Sequence, residues 1–334
     1  GSINRDVYAI KIDGKSKVRL SSKTGTNNAT FSPNFQFFIN AYSSATVAPT
    51  HTLNNSKTGA LVKTIISNEA VEQKLAKYDV APKEFFVLTT EKGHQLNAWM
   101  IKPKNFDPNK KYPVFMYQYS GPGSQQVNND WNSADDYWFM MLAQQGYIVA
   151  CVDGRGTGFK GAAFKKCTQK ELGKYEVEDQ IDAAKVIGKY NYVDASRIGI
   201  FGWSYGGFMS SNCLFQGADV FKMAIAVAPV TSWRYYDSIY TERYMQTPQE
   251  NASGYDNNSP INHVSKLKGN FLLIHGTADD NVHVQNTMKM VEALVQANKQ
   301  FDWAIYPDKN HGIYGGKTRL QLYTKMTNFI KEKL

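Results

Sequence analysis

The pattern of apolar and polar positions changes near residue 68 and divides the chain into two unlike parts. Before that point, short apolar runs are separated by turn residues such as Asp13-Gly14 and Ser32-Pro33, which is typical of antiparallel strands. The predicted strands are Val7–Ile12, Lys17–Leu20, Phe35–Tyr42 and Leu61–Ile66. Four strands in this space match one blade of a β-propeller, which cannot cover its own apolar faces. We therefore expect residues 3–67 to be the last blade of a truncated propeller.

From residue 85 onward, strand-like apolar runs alternate with amphipathic helices. A polar helical connector, Asn68–Tyr78, lies in a predicted linker over residues 68–84. The predicted strands are Phe85–Thr89, Leu96–Ile101, Val114–Tyr119, Ile148–Val152, Arg197–Phe201, Lys222–Val227, Phe271–His275 and Trp303–Tyr306. The predicted helices include Trp138–Gln145, Val177–Tyr190, Tyr205–Phe215, Val284–Ala297 and Thr318–Lys331. Such alternation predicts an α/β protein whose mainly parallel sheet is covered by helices on both faces.

A glycine-rich turn, Gly202-Trp203-Ser204-Tyr205-Gly206-Gly207, comes directly after the fifth of these strands. In isolation the motif is equally well explained as a Gly/Ser surface turn. Between a strand and a helix, however, G-x-S-x-G is the nucleophile elbow, a strained turn that exposes the serine oxygen. Eight strands with the elbow after the fifth predict an α/β-hydrolase catalytic domain over residues 85–334, with Ser204 as its nucleophile.

A serine nucleophile needs a histidine base and a carboxylate that orients the histidine, and in this fold they follow in the order Ser, Asp, His. His311 comes after the last predicted strand and is the natural base. Asp279 and Asp280 lie in the loop after the seventh strand, and spacing alone does not choose between them. A metal site formed by His275, Asp279 and His283 is less favoured, because the elbow already accounts for this loop.

The composition excludes several functional classes. The 334 residues are 42% apolar and 20% charged, which is ordinary for a globular protein. The net charge of +9 is spread along the chain, and no basic cluster is interleaved with aromatic residues, which disfavours nucleic-acid binding. The three cysteines (Cys151, Cys167 and Cys213) are odd in number and lack metal-ligand spacing, so neither a zinc site nor a disulfide framework is expected.

No apolar run is long enough for a membrane helix, and no signal peptide opens the chain. Gly1 and Ser2 are typical of a cloning remnant, so we expect the native N-terminus to be absent. The missing signal therefore says nothing about where the protein is located.

With Ser204, Asp279 and His311 placed, the chain resembles the prolyl oligopeptidase family of serine peptidases. The segments that carry the resemblance follow one another in the family's order across nearly the whole predicted hydrolase domain. They are Tyr119-Ser120-Gly121-Pro122, Asp153-Gly154-Arg155-Gly156, Glu176-Val177-Glu178-Asp179-Gln180, Gly202–Gly207, Ala228-Pro229-Val230, Tyr235-Tyr236-Asp237-Ser238, Tyr240–Met245 and His275–His283. The preceding blade is similar to the last blade of that family's eight-bladed propeller.

The resemblance implies a role for each candidate site residue. It assigns Asp279, the first of the two aspartates, to the triad, and it gives the oxyanion hole to the backbone N–H of Tyr205 and the hydroxyl of Tyr119. It implies that Asn281 and Arg243 hold the carbonyl of the substrate's P2 residue. The implied proline pocket (S1) is lined by Tyr205, Val230, Trp233, Tyr236, Tyr240 and Val282. Without the resemblance, the aromatic members, at roughly helical spacing, would be interpreted as core residues.

The implied activity is that of a serine exopeptidase that releases N-terminal Xaa-Pro or Xaa-Ala dipeptides through an acyl-enzyme. In such relatives a glutamate pair and an arginine from the propeller hold the substrate amine, and those segments are not in this chain. No metal or cofactor is implied. A homodimer and a periplasmic, secreted or cell-surface location are expected.

Two other functions are considered. One is an acylaminoacyl peptidase or general esterase of the same fold, which the intact Tyr236, Tyr240 and Asn281 disfavour. The other is a binding module without activity, which the complete triad disfavours.

Overall fold

The N-terminal part of the chain contains two separate antiparallel sheets. The computed structural model describes residues 2–131 and 133–334, so Gly1 of the expected cloning remnant lies outside the described residues. Strands β1 and β2 form a two-stranded ribbon, and β3 to β6 form a four-stranded sheet in sequential order. Their bounds are β1 (Tyr8–Ile10), β2 (Lys17–Arg19), β3 (Thr26–Phe31), β4 (Phe37–Ser44), β5 (Val47–Asn55) and β6 (Leu61–Ile66).

The strands of this part differ from those predicted. The first two predicted strands belong to the ribbon rather than to the four-stranded sheet, and β3 and β5 were not predicted at all. Both contain mostly Asn, Thr, His or Pro, so they lack the apolar alternation that identifies a strand. Their pairing comes instead from the backbone and from amide contacts such as Asn40 Nδ2 to Asn27 Oδ1 at 2.9 Å.

Strand β6 forms one edge of the four-stranded sheet, and all six of its residues are exposed. Four of them are the large apolar side chains of Leu61, Val62, Ile65 and Ile66. Alternate side chains of a strand point to opposite faces, so apolar surface is open on both faces of this edge. An edge strand of this kind has one side open for pairing with a further segment of chain.

The second part is an eight-stranded sheet flanked by helices. The strands are β7 (Glu84–Thr89), β8 (Gln95–Ile101), β9 (Tyr112–Tyr117), β10 (Ile148–Asp153), β11 (Val193–Trp203), β12 (Met223–Val227), β13 (Asn270–Gly276) and β14 (Asp302–Tyr306). The helices are α1 (Glu69–Ala76), α2 (Ala134–Gln144), α3 (Ala162–Lys166), α4 (Lys174–Gly188), α5 (Tyr205–Gln216), α6 (Ser238–Met245), α7 (Ala252–Asn257), α8 (Gln285–Gln296) and α9 (Thr318–Lys333). Short 3₁₀ turns span Trp233–Tyr235 and Pro260–Lys266.

The strand order across this sheet is β7-β8-β10-β9-β11-β12-β13-β14. Strands β9 to β14 pair in parallel, whereas β8 is antiparallel to both of its neighbours. The predicted fold class, an α/β-hydrolase with a mainly parallel eight-stranded sheet, is confirmed.

The core lies on both faces of this sheet. Along the central strand β9, Val114 and Met116 belong to one apolar cluster and Phe115 to the other, as the two-residue period of a strand requires. Residues of α4, α5 and α8 cover the first face, and residues of α2 and α9 cover the second. The helices thus leave the C-terminal ends of the strands as the place where loops can form a site.

The four-stranded sheet and the hydrolase part are joined by polar contacts to residues 129 and 130. The Thr26 hydroxyl donates to the Asn129 carbonyl at 3.0 Å, and Ala45 N donates to Asn129 Oδ1 at 3.0 Å. The Ser43 hydroxyl donates to the Asp130 carboxylate. Among the described residues, no helix is both long and apolar enough to cross a membrane.

We expect the double substitution Leu61→Lys with Ile65→Lys to reduce self-association of the chain. The two side chains are 62% and 48% exposed on edge strand β6, and their replacement removes apolar surface that a second chain would bury. Sedimentation velocity over a range of concentrations measures the effect. Thr64→Lys is the matched control, because it adds charge to the same strand and removes no apolar side chain. Equal sedimentation of the double variant and the parent would show that β6 is not a contact surface.

Candidate active site

Ser204 lies at the turn between β11 and α5 in a strained backbone conformation. Its φ and ψ are 61° and −118°, a region that non-glycine residues rarely occupy. The turn is held by the neighbouring strand β12, because Ser204 N donates to the Val227 carbonyl at 2.8 Å. It also approaches β9 closely: a Cβ on Gly206 would lie 2.6 Å from the Gln118 carbonyl oxygen. The glycine of the motif is therefore a steric requirement of the elbow.

His311 and Asp279 meet across the ends of β13 and β14. His311 Nδ1 lies 2.7 Å from Asp279 Oδ2, and Asp279 Oδ1 accepts the backbone N–H groups of Asn281 (3.0 Å) and Val282 (2.9 Å). The neighbouring Asp280 is exposed. The structure thus brings His311 to the first aspartate of the loop, the one that the family resemblance implied.

The Asp279 carboxylate stays ionised in this setting. Burial by itself raises the pKa of a carboxyl group, but hydrogen bonds from His275, His311 and the Asn281 backbone outweigh it and lower the Asp279 pKa well below its ordinary value. A carboxylate that is negative and fixed by several donors can keep the imidazole of His311 in one tautomer and one orientation.

The loop that carries His311 is attached to the elbow by Trp203. The Trp203 indole N–H donates to the His311 carbonyl at 2.9 Å. The Arg319 guanidinium lies over the Trp203 ring at 4.8 Å and over the Tyr314 ring at 4.1 Å. The residue before the serine therefore fixes the backbone of the histidine, while Asp279 fixes its side chain.

Tyr119 extends from the end of β9 to the serine. Burial raises the Tyr119 pKa, and the Ser204 side chain beside the phenol partly offsets the rise. Tyr205 is the first residue of α5, where backbone N–H groups have no partner inside the helix. A phenol hydroxyl and a free helix N–H are thus both available beside Ser204.

The loop after Tyr119 is fixed by a buried carboxylate at the end of β10. Asp153 Oδ2 accepts the backbone N–H groups of Gln126 (3.0 Å) and Val127 (2.8 Å). Burial raises the Asp153 pKa to about 6, although these two bonds oppose the rise. Asp153 therefore anchors the Tyr119 loop several residues beyond the tyrosine itself.

The predicted S1 residues form one aromatic cluster. The Tyr205 and Trp233 ring centroids lie 5.6 Å apart, Trp233 stacks on Tyr240 at 6.3 Å, and Tyr236 meets Tyr240 edge-on at 5.3 Å. Buried Val230 and Val282 belong to the same apolar cluster.

Of the two residues implied to hold the P2 carbonyl, Asn281 is bonded to the aromatic cluster, whereas Arg243 lies on the exposed side of α6. The Tyr236 hydroxyl donates to Asn281 Oδ1 at 2.7 Å, which leaves the Asn281 amide nitrogen available. Burial raises the Tyr236 pKa to about 12, so this hydroxyl keeps its proton. Arg243 is exposed on α6, one helical turn beyond Tyr240.

The metal interpretation of the Asp279 loop is not supported by the structure. Both ring nitrogens of buried His275 are engaged with protein oxygens, and the His283 residue is exposed. Within residues 2–131 and 133–334, no group of three potential metal ligands has the geometry of a metal site.

Comparison with known proteins decides the family. Residues 133–334 match the model of the prolyl oligopeptidase family, and residues 1–49 match the N-terminal region of dipeptidyl peptidase IV. The chain belongs to the prolyl oligopeptidase family. The resemblance on which the sequence analysis relied is thereby confirmed.

Individual family members are similar over the whole chain. The crystal structure of Porphyromonas gingivalis dipeptidyl peptidase 4 superposes with a TM-score of 0.97 at 51% identity, over 100% of this chain and 47% of that one. Probable dipeptidyl-aminopeptidase B of Sclerotinia sclerotiorum is 40% identical over 98% of this chain and 36% of its own length. Probable dipeptidyl-aminopeptidase B of Trichophyton verrucosum is 42% identical over 93% of this chain and 35% of its own length. This chain therefore spans about a third of the length of these curated relatives.

One residue of this family member's site was not singled out by the sequence analysis. Glu176 on α4 is completely buried, and its Oε1 accepts the Tyr205 hydroxyl at 2.8 Å while its Oε2 accepts Gly173 N at 3.0 Å. Burial raises the Glu176 pKa to about 8, against the hydrogen bonds that it accepts. Its segment contributed to the family resemblance, but the contact with Tyr205, 29 residues away, has no signal in the sequence.

We expect Glu176→Gln to flatten the dependence of stability on pH. The native carboxyl holds its proton up to about pH 8, whereas an unfolded glutamate loses it near its ordinary pKa of 4.5. The stabilising contribution is thus fully present below pH 4.5 and is lost as the pH rises through about 8. An amide has no such titration, so the unfolding free energy of the variant falls less over this range.

Urea unfolding followed by tryptophan fluorescence, at several pH values, measures this difference. Glu242→Gln is the control, because Glu242 is exposed on α6. Parallel stability curves for Glu176→Gln and the parent would contradict the raised pKa.

Proposed function

We propose that this chain carries the catalytic centre of a serine dipeptidyl peptidase that releases Xaa-Pro dipeptides, and Xaa-Ala dipeptides less well. The observation that carries the proposal is a group of three features: Ser204 on a strained elbow, Tyr119 beside it, and His311 bonded to Asp279. The relatives named dipeptidyl peptidase and dipeptidyl-aminopeptidase support the choice of reaction.

In the proposed mechanism, Ser204 Oγ attacks the carbonyl carbon of the substrate's second residue. The serine proton moves to Nε2 of His311, since Nδ1 is engaged with Asp279. His311 then gives that proton to the leaving amine as the scissile C–N bond breaks, which leaves an ester on Ser204. Water attacks the ester with His311 again as base, and the dipeptide leaves with a free carboxylate.

The oxyanion that forms in both steps is assigned to the Tyr119 hydroxyl and the Tyr205 backbone N–H. Donors that are already in place beside the developing charge stabilise the transition state without reorganisation. The buried Glu176 contact supports this assignment, because it fixes the Tyr205 side chain and with it the first turn of α5.

The preference for proline is assigned to the aromatic cluster. A proline ring is apolar and compact, and it brings no N–H that would need a partner in the pocket. Asn281, oriented by the Tyr236 hydroxyl, would donate its amide to the P2 carbonyl, and Arg243 is proposed to assist from α6.

Recognition of the substrate's free amine is assigned to a propeller segment beyond this chain. The exposed apolar edge β6 and the greater length of the relatives support such a segment as a partner of the blade. A homodimer is proposed by analogy with the family.

We expect Ser204→Ala to abolish covalent labelling by a serine-directed phosphonate, because the substitution removes the nucleophilic oxygen.

We expect Tyr119→Phe to lower kcat about 100- to 1000-fold. The loss of one oxyanion donor acts on the transition state, so KM changes little. Steady-state hydrolysis of an activated ester measures both parameters. Tyr147→Phe is the control, because Tyr147 belongs to the apolar cluster on the opposite face of the sheet. Equal kcat values for Tyr119→Phe and the control would remove Tyr119 from the oxyanion hole.

Hydrolysis of Gly-Pro-p-nitroanilide, with p-nitrophenyl acetate alongside, tests the specificity. We expect the chain to cleave the acetate, and a longer form with the propeller segments of the relatives to cleave Gly-Pro as well. An N-acetylated Gly-Pro substrate is the control, since blocking the amine removes the group that a dipeptidyl peptidase must recognise. Faster cleavage of the blocked substrate would favour an acylaminoacyl peptidase, and cleavage of the acetate alone by the longer form would favour an esterase.

A further inference from the structure

His275, on β13, is completely buried and makes three polar contacts. Its Nε2 lies 2.7 Å from the Val282 carbonyl and 3.2 Å from Asp279 Oδ2, and its Nδ1 lies 2.7 Å from Thr287 Oγ1. The same carboxylate oxygen is the one that His311 contacts. Asp279 is thus placed between two histidines, one from the core strand and one from the loop after β14.

These contacts determine where the imidazole hydrogen lies. A carbonyl oxygen can only accept, so Nε2 of His275 must carry the hydrogen that faces Val282. The Thr287 hydroxyl then donates to Nδ1, and both ring nitrogens are satisfied. The same Nε2–H group lies 3.2 Å from Asp279 Oδ2, so it presents partial positive charge to the carboxylate from a position fixed in the core.

The two oxygens of Asp279 are consequently held from different directions. Oδ1 is fixed by the backbone of its own loop, whereas Oδ2 is held by the two histidines. His311 comes from a partly exposed loop, so His275 is the rigid member of this pair. An orienting carboxylate works only if its own position is fixed, because it sets the tautomer and direction of the base.

His275 also connects the carboxylate to the pocket. The Val282 N–H donates to Asp279 Oδ1 and the Val282 carbonyl accepts from His275, which closes a ring of three residues. Val282 is buried in the cluster assigned to the proline pocket. The direction of the carboxylate and the position of this pocket wall are therefore set by the same side chain.

We propose that His275 is a positioning residue that holds Oδ2 of Asp279 for His311 and couples the triad to Val282. The inference rests on the proposed function, since it assigns His275 a role that acts only through Asp279. His275 does not contact the substrate in this scheme.

A double-mutant cycle of His275→Phe with Asp279→Asn tests the proposal. The readout is the second-order rate of Ser204 labelling by a diphenyl phosphonate ester, which remains measurable when turnover is slow. We expect His275→Phe to slow labelling about 10- to 100-fold when Asp279 is present, the range for losing a hydrogen bond to a charged group. In the background of Asp279→Asn, the same substitution should slow labelling less than about threefold.

Two further variants separate positioning from packing. Thr287→Val disturbs the same buried cluster but leaves the Nε2 contacts, so it should slow labelling less than about threefold. His275→Gln can place an amide N–H near the former Nε2 and should recover much of the loss seen with His275→Phe. Thermal unfolding of each variant establishes that it is folded.

The outcomes are distinct. Equal slowing by His275→Phe in both backgrounds, or equal slowing by Thr287→Val, would overturn the positioning role. Should His275→Phe not fold, His275→Leu takes its place in the cycle, because it also removes the Nε2 hydrogen, and the same criterion of equal or unequal slowing applies. Failure of the parent chain to be labelled at Ser204, with an intact unfolding transition, would count against the proposed function rather than against His275.

Discussion

The register of the parallel sheet is the constraint on which the whole site depends. Strands β11, β12, β13 and β14 pair so that their C-terminal ends lie in one row, and backbone bonds continue this pairing one residue further. Ser204 N donates to Val227 O, Ala228 N to Ile274 O at 2.7 Å, and Thr277 N to Tyr306 O at 3.0 Å. A shift of one residue in any strand would turn its side chains to the opposite face and move its loop away from the others.

Buried carboxyl groups hold the loops of this site, and the cost of burying their charge is offset in a different way for each. Asp279 is stabilised as an anion by donors, whereas Glu176 and Asp153 are pushed toward the protonated form by burial. Asp179 is instead paired with Arg155, with Oδ1 2.7 Å from the guanidinium. The ionised Asp279 places a negative charge beside the His311 imidazole. The raised pKa of Glu176 keeps the region around Tyr205 close to neutral, which suits an apolar pocket.

The parts that sequence analysis predicted correctly have local signals. The eight strands of the hydrolase sheet are continuous apolar runs, and the elbow is marked by glycines whose spacing is a steric requirement. The parts that it missed depend on contacts between distant residues. Strands β3 and β5 each pair with β4 through backbone hydrogen bonds. The Glu176–Tyr205 and Trp203–His311 bonds join residues 29 and 108 positions apart. Spacing could not separate Asp279 from Asp280, because only the fold determines which of them meets His311.

The segment that leads from Tyr119 to the four-stranded sheet connects the site to the N-terminal part of the chain. Its far end, residues 129 and 130, is bonded to β3, β4 and the turn that follows them, while its middle is bonded to Asp153 in the rigid sheet. A force that reaches this segment through residues 129 and 130 is therefore resisted at Asp153. The hydroxyl of Tyr119 lies beyond that anchor. We therefore expect a displacement that enters through residues 129 and 130 to have little effect on the distance between the phenol and Ser204.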